Sequence, residues 1–198
     1  MATMEDLRAQ AEKIQTSFAR ALDEIRADRM LSDEGKKSRI RDLYVSSKAQ
    51  MDKLKAQTTQ DETNRITTLQ RRLFGTVGAS AQDVIAQRDA NDRAEALSSE
   101  EEALAMMRSA ITFKDLMLER AILRRAFEAG AELNPLNGRP QHWFDVINAY
   151  VDEHPTTEDD LRELLDLTKA AANPGRSFGQ AMTTWLAKPS ELADEWSL

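Results

Sequence analysis

The sequence predicts an all-α protein in which a long N-terminal antiparallel helical hairpin of coiled-coil character precedes a small C-terminal helical bundle. Three observations carry this. Between Met4 and Met30 the apolar residues recur at alternating steps of three and four. Further along, Ser or Thr followed three residues later by an acid marks one helix start after another. Finally, 31% charged residues beside only 7 Gly and 5 Pro is a helix-rich balance rather than that of a turn-rich β protein.

The first stripe runs Met4, Leu7, Ala11, Ile14, Phe18, Ala21 and Ile25, with Glu, Arg, Lys, Gln and Asp between, so one seam is buried and the remainder is solvated. Leu31 to Lys36 is a reversal, with Ser32 as cap and Asp33 and Glu34 in the first turn of the next helix, where negative charge suits the helix dipole. Ile40, Leu43, Ser47, Met51 and Leu54 share a face that meets the first helix running the other way. The polar stretch 56–64 begins about where the partner helix ends and is expected to be a solvated continuation. Ile66, Leu69, Leu73 and Phe74 then restore an apolar face before Gly75-Thr76-Val77-Gly78.

Ser80 with Asp83 and Ser99 with Glu102 predict helices over 81–97 and 100–129, with a possible break at Thr112 in the second. The run Asn134-Pro135-Leu136-Asn137-Gly138-Arg139-Pro140 is a loop, and Pro140 is suited to open a helix carrying Trp143, Phe144, Val146, Ile147, Tyr150 and Val151. Thr157 with Asp160 is expected to cap a helix bearing Leu161, Leu164 and Leu165. Asn173-Pro174-Gly175 ends that helix, and Ser177 caps a last short one with Phe178, Ala181, Met182, Trp185 and Leu186 inward. The predicted division is a hairpin over 1–74, a linker at 75–80, a bundle over 81–187 and an acidic tail at 188–198.

Charge is uneven along the chain: residues 1–74 carry 15 Lys/Arg against 12 Asp/Glu, and the remainder 12 against 22, which disfavours nucleic acid as a partner of the acidic part. The absence of Cys excludes disulfides, thiolate metal sites and a thiol nucleophile, and fits a reducing compartment. The charged start has no signal-type apolar core, and nowhere do 18 apolar residues run together, so neither secretion by that route nor a membrane span is expected.

Candidate chemistry is sparse. His142 and His154 lie twelve residues apart with no second ligand pair, so no metal or other cofactor is expected. Glu158, Asp159, Asp160, Glu163 and Asp166 read as a solvated helix start rather than a catalytic pair, which would need burial to shift its titration. The loop at 75–78 lacks the Lys of a phosphate-binding loop, and Gly175-Arg176-Ser177-Phe178-Gly179 matches a hydrolase signature in letters but has no strand before it. The basic residues Lys36, Lys37, Arg39, Arg41, Arg71 and Arg72 have acids among them and no interleaved aromatics, as on a coiled-coil surface. The aromatic group Trp143, Phe144, Tyr150, Phe178 and Trp185 is expected to form the core of the bundle, while Trp196 in the tail is either folded back or an anchor for a partner.

Residues 1–57, and especially Arg29-Met30-Leu31-Ser32-Asp33-Glu34-Gly35-Lys36-Lys37-Ser38-Arg39-Ile40 followed by Ala49-Gln50-Met51-Asp52-Lys53-Leu54, resemble a helical hairpin of small structural and assembly proteins of tailed actinobacterial phages. The resemblance implies a virion or head-assembly role (a connector, an accessory capsid protein or a scaffold) located in the virion or the host cytoplasm. The acidic C-terminal end departs from the basic end of typical scaffolds. The expectation is therefore a non-enzymatic assembly protein that contacts itself or other virion proteins, the alternative being a cytosolic coiled-coil adaptor for one partner. Leu7, Ile14, Phe18, Ile25 and Trp196 are the expected interaction residues. A two-helix hairpin buries too little surface to stand alone, so its seam is expected to gain further burial through self-association, docking on the C-terminal bundle or a neighbouring protein, with association in an assembly favoured.

Overall fold

A computed structural model describes residues 4–75, 78, 80–129 and 143–194, with only the backbone at Met4, Pro174 and Ser177. Among these residues the secondary structure is helical, with no strand: α1 (Met4–Ala27), α2 (Asp33–Phe74), α3 (Ala81–Glu95), α4 (Glu100–Phe113), α5 (Leu116–Ala129), α6 (Phe144–Glu153), α7 (Glu158–Ala172) and α8 (Pro174–Thr183). Short 3₁₀ turns occupy Pro155–Thr157 and Ser190–Leu192. No helix among them is long and apolar enough to cross a membrane. The chain forms two compact units, the first from residues 1–65 and 168–198 and the second from 66–167.

In the first unit the hairpin reversal is satisfied locally. Asp28 Oδ1 accepts from the Met30 amide at 2.8 Å, Ser32 Oγ caps α2 by accepting from the Gly35 amide at 3.2 Å, and Lys36 Nζ donates to the Arg26 carbonyl at 2.8 Å. The last contact places a cation on a carbonyl that the end of α1 leaves without a helical partner. The seam is buried in two clusters, Leu7 and Ala11 with Met51 and Leu54, and Phe18 and Leu22 with Ile40 and Tyr44 nearer the turn. The Phe18 and Tyr44 rings stand 6.3 Å apart at 60°. Leu22 and Tyr44 extend the predicted seam, whereas Ala21 is only half-buried.

The turn-proximal cluster is completed by Leu186 and Leu192, from the segment expected to end the bundle and begin an acidic tail. The division by packing therefore falls at 65/66 and 167/168 rather than at 75–80 and 187. The physical reason is that the seam needs a third wall: two helices cover only one stripe of each other, and Leu192, fully buried, closes the open side near the turn. Near the turn, further burial of the seam is thus supplied within the unit by Leu186 and Leu192. The polar stretch 56–64 is a largely solvated continuation of α2, as expected, except at Thr58, which is buried with its hydroxyl on the Leu54 carbonyl, and at Glu62, which is partly covered and paired with Arg176.

In the second unit α5 is the central helix, with α3, α4 and α6 packed on it. Close approach is allowed by the small residues Ala90, Ala94, Ala103 and Ala110 at buried positions of α3 and α4. The Ser80–Asp83 capping box forms in full and holds the Asp83 carboxyl below its usual range. Ser99 Oγ accepts from the Glu102 amide at 3.2 Å, but the Glu102 carboxylate reaches back to Ser98 instead, so the second box is only half made. The predicted 100–129 helix is interrupted at Lys114, the one described non-glycine residue with positive φ (57°), after which Asp115 Oδ1 accepts from the Leu118 amide and starts α5. Thr157 does not cap α7, since its hydroxyl donates to the His154 carbonyl. The cap of α8 is Asn173 rather than Ser177.

Leu192→Ala should cost about 3 kcal/mol, the usual range for a large buried aliphatic side chain. Amide hydrogen exchange should show protection lost in α1 and the first part of α2 and kept in α5; equal loss in both units would show that Leu192 does not serve the hairpin alone.

Candidate interaction surfaces and buried polar sites

Of the expected interaction residues, Leu7 and Phe18 are buried inside the hairpin, and Ile14 and Ile25 are half-buried against the distal and turn-proximal clusters. All four are used within the first unit. Trp196 lies outside the described residues, as do His142 and the 130–142 loop.

The aromatic expectation is corrected. Trp143 and Tyr150 are buried, but Phe144 is exposed, and Phe178 and Trp185 are 68% and 62% exposed. The reason lies in how α8 is laid down. Arg176, Gly179, Gln180 and Thr183, with Thr184 at its C-cap, form its partly covered face, whereas Phe178, Ala181 and Met182, with Trp185 just past its end, form the exposed face. A surface helix normally buries its apolar stripe, and α8 does the reverse. Polar contacts hold it this way up: Gln15 Nε2 of α1 donates to the carbonyls of Trp185 at 3.0 Å and Thr183 at 3.4 Å, and Arg176 pairs with Glu62 of α2. The Gly175–Gly179 pentapeptide lies in this helix, so its letters do not form a hydrolase elbow.

Just beyond α8, Glu191 takes both Arg26 Nε (2.7 Å) and Nη2 (3.0 Å), and this bidentate contact pushes the Glu191 carboxyl down to about 2. It anchors the segment that carries Leu192 at the turn-proximal end of the hairpin.

The second unit holds polar groups that spacing does not reveal. Glu119 sits on the central helix with its side chain only 2% exposed, and its Oε2 lies 2.6 Å from His154 Nε2. The His154 ring packs on Tyr150 at 4.5 Å, and burial pushes the Tyr150 phenol up, with Arg120 pulling it partly back. Arg120 also donates to the Gly75 carbonyl at 2.9 Å, tying α5 to the end of α2. Gly75 has no room for a side chain, since a Cβ there would meet the Arg71 carbonyl oxygen at 2.1 Å. Arg125 lies over the Trp143 ring at 5.1 Å. Asp160, expected to be solvated, is buried and held by Arg72, with Nη1 3.2 Å from Oδ1 and Nε 2.9 Å from Oδ2. Glu119, Arg120, Arg125 and Asp160 thus each have a hydrogen-bond partner, an opposite charge or a ring face to offset their lost hydration.

An open groove of about 430 Å³ lies between the end of α2 and the end of α5, lined by residues that include Arg71, Phe74, Arg124 and Phe127. Arg124 is engaged by Glu95 and Glu128 on its sides. Glu119, His154 and Tyr150 are not among the groove residues, so the acid–base pair and the groove do not form one site. Among the described residues no three His, Asp or Glu side chains are grouped to hold a metal ion. Comparison with family models, curated proteins and solved structures finds no match.

Two measurements check these contacts. His154→Ala leaves the buried Glu119 side chain without its hydrogen-bond partner and should destabilise the second unit by about 1–3 kcal/mol; Glu119→Gln with His154 intact should cost less, because the amide can still hydrogen-bond. For Glu191, the folded-state pKa lies below the unfolded one, so its contribution is present above about 4.5 and lost as pH falls towards about 2. The Glu191 carboxyl resonance should titrate near 2 in the wild type and within the ordinary carboxylate range in Arg26→Met.

Proposed function

We propose that this chain is a non-enzymatic structural or assembly protein of a phage particle, acting through protein–protein contacts. The observation that carries the contact role is the apolar stripe of Phe178, Met182 and Trp185 left outward on α8 and just past its end, on a helix held in place by polar contacts from its other side. Apolar groups arranged in a stripe rather than scattered singly are characteristic of surfaces that bind protein. The virion assignment is supported by the resemblance of the 29–54 segment to hairpins of phage assembly proteins. The buried Glu119–His154 pair fits a scaffolding role in the core, because both groups are spent on each other between α5 and the end of α6.

Quantitative mass spectrometry of purified phage particles and of their assembly intermediates tests the reading. This chain should be present at a fixed multiple copy number. Its absence from particles and intermediates, together with a one-to-one complex with a single host protein, would replace the reading by a cytosolic adaptor.

A further inference from the structure

We infer that α8 and the residues just past its end form a self-association surface, and that the exposed stripe of Phe178, Met182 and Trp185 packs against the same stripe of a second copy of this chain. The inference deepens the assembly reading by naming one partner and one face.

Charge selects the occupant. Residues 177–187 (Ser-Phe-Gly-Gln-Ala-Met-Thr-Thr-Trp-Leu-Ala) are eleven uncharged residues in succession, the longest such run in a chain that is 31% charged. A partner that brought a charge onto this stripe would bury it unpaired. In a twofold contact every group near the axis meets its own equivalent, which a charged face does not tolerate and an uncharged one does. The larger scale agrees, since the first unit carries 16 Lys/Arg against 15 Asp/Glu, so two such units meet without net repulsion. The second unit, with 11 against 19, would repel its own copy. A lipid surface is the poorer fit: interfacial helices set Lys and Arg beside their apolar face, whereas Arg176 is turned to Glu62.

Area gives the same answer. With Phe178, Met182 and Trp185 at 68%, 57% and 62% exposure, the stripe offers roughly 350 Å² of apolar surface per copy. A standard interface covers about 800 Å² per partner, with an apolar centre inside a polar rim. The stripe has the size of such a centre, and Trp and Phe are the residue types that dominate binding energy there. The face is presented in a fixed orientation, because the opposite side of α8 is hydrogen-bonded to Gln15 and ion-paired to Glu62.

The test uses the full chain. Sedimentation velocity should give twice the 22.3 kDa chain mass, and Phe178→Glu with Trp185→Glu should weaken the dimer at least about 100-fold while leaving the far-UV helical spectrum unchanged. Because the chain has no Cys, Ala181→Cys on the exposed face should yield a disulfide-linked dimer under mild oxidation, and Ala86→Cys on α3 should not. A wild type still monomeric at about 100 µM, a double variant that dimerises as well as the wild type, or equal crosslinking at both positions would overturn the inference. Flotation of a monomeric wild type with phosphatidylcholine vesicles would also overturn it and assign the stripe to lipid. An α8 dimer in a protein absent from phage particles would leave this inference standing and overturn the assembly reading.

Discussion

Two antiparallel helices can bury one stripe of each other and no more, and the first unit is organised around that shortage. Phe18, Leu22, Ile40 and Tyr44 make a wall that is open on one side, and Leu186 and Leu192 close it. Everything about the C-terminal segment serves this closure. Asn173 and Pro174 start α8, Gln15 and Glu62 hold its polar side down, and the Arg26–Glu191 fork fixes the turn that carries Leu192. The apolar side of α8 is left outward because the side facing the hairpin is already occupied by polar contacts.

The second unit meets a different constraint. Its central helix, Leu-Met-Leu-Glu-Arg-Ala-Ile-Leu-Arg-Arg-Ala-Phe-Glu-Ala, is surrounded by packed helices yet carries five charged residues. Glu119 is compensated by His154, Arg120 by the Gly75 carbonyl, Arg124 by Glu95 and Arg125 by the Trp143 ring. Such partners add little net stability compared with apolar packing, but they penalise every arrangement in which one of them is missing. They therefore favour one register of α5 against its neighbours.

What was legible in the sequence is what depends on near neighbours. The Ser80–Asp83 box, the Ser32 cap and the three-four seam are all settled within a few residues, and each is present. Lys114 was not legible, because a left-handed lysine looks like any other, although Thr112 lies close to the break. The orientation of α8 was not legible either: spacing states which residues share a face, while inward or outward depends on Gln15 and Glu62, more than a hundred residues away. The same distance hid Leu192 from Phe18 and, over thirty-five residues, Glu119 from His154. Leu7, Ile14, Phe18 and Ile25 were legible as seam residues, and cover from the C-terminal part of the chain was one of the options open, but not that Leu186 and Leu192 would supply it beside Phe18.

The arrangement of the first unit sets an order of events during synthesis. A ribosome releases the hairpin first, then the whole of 66–167, and only afterwards the residues that finish the hairpin. The second unit is complete in one continuous stretch and can fold as it emerges, at the few residues per second at which chains are made. The hairpin must wait, with an aromatic and aliphatic wall facing solvent, through about a hundred further codons. On a polysome, where several ribosomes follow one another along one message, that interval is when one nascent chain's hairpin and the C-terminal segment of a chain just finished are both available, so the spacing of ribosomes bears on whether each molecule closes on itself.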